Sequence, residues 1–279
     1  MRTWDTVAII GVGLIGGSIG LALRERKLAR RVIGIGRRRE SLEKARARGC
    51  VDEITTSIAE GAKQASLIVV CTPVESIAQH VLEASEHCLG GALITDAGST
   101  KAEIVAAAEN LKEVRFVGSH PLAGSEKNGC DAASADLFEG RMVVVTGTEN
   151  SEAEAVDAIE AFWQSLGASV LRMSPDDHDA ALACTSHLPH LIASALAAAT
   201  PEQLLPLTAT GWQDTTRIAA GDAELWRQIF LANGASTLKA LADFEKVLSR
   251  FRAALESADG TLLAELLAEG KRRRDAVGN

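Results

Sequence analysis

The sequence predicts an α/β chain: a doubly wound, mostly parallel sheet followed by an all-helical region. Three observations carry this expectation. Short apolar runs alternate with amphipathic stretches from residue 7 to about residue 173, the pattern of strands joined by crossover helices. The first apolar run passes directly into a glycine-rich turn. From Ser174 onward β-rich runs cease and Ala/Leu-rich stretches take over. The expected division is therefore residues 1–173 for the sheet and 174–279 for the helices.

Residues 7–10 read as the first strand, and Gly11-x-Gly13-x-x-Gly16 as the turn, with a helix over 19–26 behind it. Strand, glycine turn and helix in that order are the Rossmann-type context in which such glycines hold a dinucleotide. Gly11 permits the tight turn, Gly13 lets a pyrophosphate approach, and Gly16 lets helix and strand pack closely. With Leu14 and Ile15 between them, these residues form the candidate phosphate cradle at a helix N-terminus.

Residues 30–35 form the second strand, and its end is informative. An Asp or Glu about 20 residues past the glycines holds the ribose 2′-OH in NAD-binding folds. Here Gly36 takes that place, Arg37 and Arg38 follow, and no carboxylate comes before Glu40. An arginine can bind a 2′-phosphate by charge-assisted bidentate bonds. Gly36, Arg37 and Arg38 thus point to NADP, with NAD possible.

Residues 67–71 are a fully apolar run expected to be a buried strand, ending at Cys71, Thr72 and Pro73, and residues 75–85 a helix. Residues 92–95 form another strand, followed by Asp96-Ala97-Gly98-Ser99-Thr100-Lys101 and a helix over 102–111. Strands are expected at 115–118, 142–146 and 168–172, with a helix over 153–166. Ligands of such sheets bind beyond the carboxyl ends of the strands. Thr72, Ser99 and His120 therefore stand where chemistry is expected, and Cys71 and Pro73 with the cofactor.

Helices follow at 176–200, with a kink or restart at Pro189, and at 204–220, 223–233, 236–256 and 261–271. Leu238, Leu241, Phe244, Glu245, Leu248, Phe251 and Leu255 fall mostly on one helical face. That stripe is wide for a small helical domain and suggests a homodimer about a two-fold axis. The net charge of −8 argues against general nucleic-acid affinity. Five cysteines, odd in number and without a CxxC pair, suggest a reducing cytoplasm. Neither a signal peptide nor an apolar run long enough to span a membrane is evident.

The chemistry concentrates in three clusters. His120 sits in Gly118-Ser119-His120-Pro121-Leu122-Ala123-Gly124, after a strand, and its near-neutral pKa suits proton acceptance from an alcohol. His178-Asp179 precedes Ser186-His187-Leu188-Pro189-His190. Histidines and carboxylates invite a zinc reading, but no HExxH and no cysteine pair accompany them, so no metal is expected. Arg217, in Gly211-Trp212-Gln213-Asp214-Thr215-Thr216-Arg217, suits a substrate carboxylate.

In this order, the glycine turn, Cys71-Thr72-Pro73, Asp96-x-Gly98-Ser99-x-Lys101, Ser119-His120-Pro121-Leu122-Ala123-Gly124, His178-Asp179, Ser186-His187-Leu188-Pro189-His190 and Gly211-x-x-Asp214-x-x-Arg217 resemble the prephenate/arogenate (cyclohexadienyl) dehydrogenase family of tyrosine biosynthesis. The resemblance spans the chain to about Asn233. It implies oxidative decarboxylation of prephenate to 4-hydroxyphenylpyruvate; arogenate to tyrosine, or both substrates, is the alternative. It implies that His120 accepts the hydroxyl proton, that Ser99 shares that hydroxyl and orients His120, and that Arg217 pairs with a substrate carboxylate. His178, His187 and His190 would line the pocket, with Glu126, Asp214 and Trp226 as its gate and surroundings. A sensor that binds NADP without turnover is a more distant alternative, opposed by His120, Ser99 and Arg217.

Overall fold

The structure is a computed structural model describing residues 3–109, 111, 115–124 and 129–278. Two compact units divide the chain after Asn233. The first contains β1 (Trp4–Ile10), β2 (Ala29–Ile35), β3 (Glu53–Thr55), β4 (Leu67–Val70), β5 (Leu93–Asp96), β6 (Arg115–Pro121), β7 (Met142–Thr146) and β8 (Ser169–Met173). They form one sheet in the order β3-β2-β1-β4-β5-β6-β7-β8. Every neighbouring pair is parallel except β6 and β7, which run antiparallel with His120 opposite Val144.

Alternation along β1 shows how the sheet is covered. Val7 and Ile9 enter a core with Ile19, Leu23, Phe162 and Trp163. Ala8 and Ile10 enter the opposite core with Ile77, Val81 and Ile104. A parallel sheet needs both faces covered, which is why its strands read as continuous apolar runs. The covering helices are α1 (Leu14–Glu25), α2 (Arg39–Ala47), α3 (Ile58–Ala62), α4 (Val74–His87), α5 (Ala102–Ala108) and α6 (Ala153–Ser165). α1 starts at Leu14, five residues before the expected start at 19, so Gly16 and Gly17 are helical. β3 carries no apolar run and was not anticipated.

The change of composition at 173/174 marks where strands end. The compact unit continues through α7 (Pro175–Leu182), α8 (Leu188–Ala199), α9 (Thr210–Thr216) and α10 (Ala223–Ala232), because α7 packs on α5 and α10 on α4. Between α7 and α8 the backbone widens into a π-helical turn, Ala183–His187. Pro189 lies in the first turn of α8, where its missing N–H costs nothing. By length and composition alone Pro175–Ala199 is apolar enough to cross a bilayer. It also carries His178, Asp179, His187 and His190, all buried within this unit.

The second unit is α11 (Gly234–Glu256) and α12 (Gly260–Asp275). Asp259 caps α12 by accepting from Leu262 N–H at 2.9 Å. Of the apolar stripe on α11, Leu238, Leu248 and Leu255 are 67%, 49% and 66% exposed in the single chain. That leaves a broad apolar face of the helix open to water.

Candidate active site

The carboxyl ends of β1, β2 and β4 open into a cleft of about 660 Å³. Gly11, Gly13, Gly36, Arg37, Arg38, Cys71, Thr72 and Pro73 line it, as do Ser41 and Lys44 from α2 and His80 from α4. Gly11 has φ +94°, and a Cβ there would stand 2.6 Å from the Cys71 carbonyl oxygen. Only glycine allows both the conformation and the approach. Gly16 packs its α-carbon on the Gly11 carbonyl, closing helix onto turn. Gly13 has nothing within 4 Å of its absent side chain, the open cradle a pyrophosphate needs. Leu14, Ile15 and Gly16 lie in the first turn of α1 behind this cradle and do not line the cleft.

Arg37 and Arg38 are exposed, and neither forms an ion pair with any described residue. Lys44 pairs with Asp131 across the cleft. The sequence motifs did not mark His80; its Nδ1 lies 2.9 Å from Thr72 Oγ1. Burial pushes the Cys71 thiol pKa above its ordinary range. These features fit a dinucleotide, with Arg37 and Arg38 at the β2 end of the cleft.

The second part of the candidate site lies at the carboxyl ends of β5 and β6, where Asp96 and His120 stand. Asp96 closes β5 and is fully buried. It pairs with the equally buried Lys101 ammonium and accepts from Gly98 N–H at 2.8 Å and Ser119 N–H at 3.0 Å. Ser119 Oγ donates to the Asp96 carbonyl at 2.5 Å, and Trp163 Nε1 donates to Ser119 Oγ at 2.9 Å. Burial holds the Lys101 pKa below its ordinary value, while Asp96 and Asp179 support the charge. This dry network locks the loop that carries Ser99 against the strand that carries His120.

Three titratable groups then form a chain. His120 Nδ1 lies 2.9 Å from His178 Nε2, and His178 Nδ1 lies 2.7 Å from Asp179 Oδ1. Asp179 also accepts from Lys101 N–H at 2.8 Å and Ala102 N–H at 2.9 Å. Burial alone would raise the Asp179 pKa, but these donors bring it below the usual carboxylate value. A carboxylate only accepts, so His178 carries its proton on Nδ1. In the form with its proton on Nδ1 alone, His178 presents its Nε2 lone pair to His120 Nδ1–H. That leaves His120 Nε2 as a lone pair with no described partner. Burial, then His178, Lys101 and His187, holds the His120 pKa well below 6.5, so it is a free base at neutral pH.

His187 is buried and its pKa is lowered to about 4, by burial first. His190 stacks on Trp226 with ring centroids 3.6 Å apart, and His187 meets the same indole edge-on at 6.2 Å. Asn233 donates from Nδ2 to the Asp179 carbonyl at 2.7 Å and lies 3.2 Å from His187 Nδ1. No motif pointed to Asn233. Ser99 is partly buried and forms no hydrogen bond to a described residue; the partner of His120 is His178. Asp214 and Arg217 are exposed, and no hydrogen bond or ion pair among the described residues joins them to the histidines. Glu126 lies outside the described residues. Among the described residues no group of three His, Cys, Asp or Glu side chains is placed to hold a metal.

Comparison with known proteins adds independent findings. Residues 19–172 match the family model of the prephenate dehydrogenase nucleotide-binding domain, and residues 174–269 that of the prephenate dehydrogenase dimerization domain. The chain is 34% identical over 285 residues to a prephenate dehydrogenase of Bacillus subtilis, covering 98% of this chain and 76% of that one. It resembles the crystal structure of prephenate dehydrogenase from A. aeolicus in complex with hydroxyphenyl propionate and NAD+, with TM-score 0.91, 33% identity and 98% coverage of each. It also resembles Synechocystis arogenate dehydrogenase, with TM-score 0.86, 30% identity, and coverage of 98% of this chain and 99% of that one.

Proposed function

We propose a reaction at the level of named atoms for this chain, which belongs to the prephenate dehydrogenase family. The chain is an oxidoreductase with a nucleotide-binding domain for a nicotinamide cofactor. Its substrate is prephenate, with arogenate as the alternative. His120 Nε2 takes the proton of the ring hydroxyl while hydride leaves the same carbon. The bound nicotinamide supplies the two-electron acceptor for that hydride. The ring carboxylate leaves as carbon dioxide, its bonding electrons complete the aromatic ring, and His120 returns the proton to the phenolic oxygen. Ser99 shares the hydroxyl, and Arg217 pairs with a substrate carboxylate. His178, His187 and His190 line the pocket, and Glu126, Asp214 and Trp226 border it. The single observation that carries this reading is the chain Asp179–His178–His120, which holds His120 by its Nδ1 at the carboxyl end of β6.

Gly36, Arg37 and Arg38 support NADP over NAD, because glycine replaces the ribose-binding carboxylate at the end of β2 and two guanidinium groups without a described ion-pair partner line the cleft beside it. The dimerisation domain, with Leu238, Leu248 and Leu255 exposed on one helix, supports a homodimer through residues 174–279. Within this proposal residues 1–173 hold the dinucleotide, and the enzyme works in the cytoplasm on small molecules, without nucleic acid or membrane partners. One assay tests the reaction: purified protein with NADP+ or NAD+ and prephenate or arogenate, followed by absorbance of the reduced nicotinamide. Turnover is expected with prephenate and NADP+; absence of turnover in all four combinations overturns the reaction. A monomer in sedimentation at micromolar concentration overturns the homodimer.

A further inference from the structure

Asp179 is hydrogen-bonded through two different groups, and they point to two different histidines. Its carboxylate holds His178 and, through it, His120. Its main-chain carbonyl accepts from Asn233 Nδ2 at 2.7 Å. A main-chain carbonyl only accepts, so the NH2 group of Asn233 must face it, and the orientation of the amide is settled. The same Nδ2 lies 3.2 Å from His187 Nδ1. An amide nitrogen only donates, so His187 Nδ1 must carry the lone pair. With its pKa near 4, His187 is neutral at pH 7 and its one ring proton resides on Nε2.

We infer that Asn233 is a positioning residue that fixes His187 as an Nε2–H donor, while Asp179, through its carboxylate, fixes His120 as an Nε2 acceptor. Two neighbouring imidazoles thereby hold opposite roles, set by one aspartate. The π-helical turn Ala183–His187 separates the two arms and brings His187 round to Asn233 at the end of α10. A buried neutral N–H donates to an anionic or carbonyl oxygen and disfavours an ammonium. On the reading that His187 lines the substrate pocket, this selects a substrate group that accepts a hydrogen bond, such as a carboxylate or keto oxygen, over an amino group.

The test is long-range proton–nitrogen correlation on the full chain labelled with ¹⁵N-histidine, at pH 7.5 and without substrate. The signals of His187 are identified from their loss in His187→Gln. The wild type should show a protonated Nε2 and an unprotonated Nδ1. A proton on Nδ1 in the wild type overturns the inference, with no variant needed. Asn233→Asp, close to isosteric, replaces the donor by an acceptor and should move the proton toward Nδ1. Asn233→Ala should give averaged shifts of two tautomers. An unmoved His187 spectrum in a folded Asn233→Asp or Asn233→Ala overturns the role of Asn233. In turnover, Asn233→Ala should raise KM for prephenate about tenfold, the scale of one lost hydrogen bond, with kcat changed less. A fall in kcat with KM kept would instead assign Asn233 to the reaction step and overturn the inference. The tautomer is read without turnover, so it stands apart from the proposed reaction. A wild type with Nε2–H and no activity would reject the reaction and keep the positioning role.

Discussion

The two ends of the site are built in opposite ways. At the reaction end the charges that frame His120 are dry and partnered: Asp96 with Lys101, and Asp179 with His178 and two main-chain N–H groups. At the adenosine end Arg37 and Arg38 stand in water without a described ion-pair partner. A low local dielectric makes each hydrogen bond strong and each misplacement costly, so geometry governs the first end. Screening by water leaves little geometry to enforce at the second, so the count and sign of charges govern it. On the proposed function, the difference teaches that proton transfer would depend on a fixed framework, whereas the choice between NADP and NAD would rest on a few adaptable side chains.

The largest expected effect breaks the dry end at its working atom. His120→Ala should lower kcat by roughly 10²–10⁴, the range of lost acid–base assistance, with the Kd of the cofactor kept. In the wild type the acid limb of kcat/KM should fall below pH 6.5, since the His120 pKa lies below that value; a limb above it would contradict the neutral base.

Next in size is the framework. Lys101→Met leaves the Asp96 carboxylate buried without its cation and should cost about 3–5 kcal/mol in urea unfolding. A loss under about 1 kcal/mol would mean that the buried pair is replaceable by apolar packing, and the contrast between the ends would weaken.

Acidification tests the same end without mutation. The unfolded chain protonates His187 near its ordinary 6.5, the folded chain only near 4. Between those values the unfolded state binds more protons, so this contribution is whole above pH 6.5 and is lost as pH falls toward 4. It amounts to about 3 kcal/mol at most, and His120 and Asp179, both shifted down, act in the same direction. Chemical denaturation at pH 7 and pH 4.5 should show the loss in the wild type and a smaller one in His187→Gln.

The smallest effect belongs to the wet end. Gly36→Asp with Arg37→Ile should move the NADP+/NAD+ ratio of kcat/KM toward NAD+ by about tenfold, with stability unchanged. A ratio that stays put would remove the 2′-phosphate reading and leave the reaction untouched.

Much of this was legible in the chain. The glycine turn, the apolar strands and the arginines after Gly36 are local patterns whose physics acts over a few residues. β3 escaped because Glu53–Thr55 is held by pairing with β2 and carries no hydrophobic signal of its own. The start of α1 was placed too late because glycines disfavour helix in isolation. Here close packing of Gly16 on Gly11 and of Gly20 on Cys50 selects them. The antiparallel β7 broke the strand–helix rhythm, because the described residues between β6 and β7 include no long helix to carry a parallel crossover.

The sequence by itself determined the fold class, the dinucleotide turn, the absence of an acid at Gly36 and the order of the His120, His187 and Arg217 motifs. Each rests on residue type and short spacing. Only the tertiary structure decided which groups the nitrogens of His120, His178 and His187 meet. That depends on His178 meeting His120 across 58 residues of chain and Asn233 meeting His187 across 46, and a tautomer is set by the partner in space, which no local pattern records.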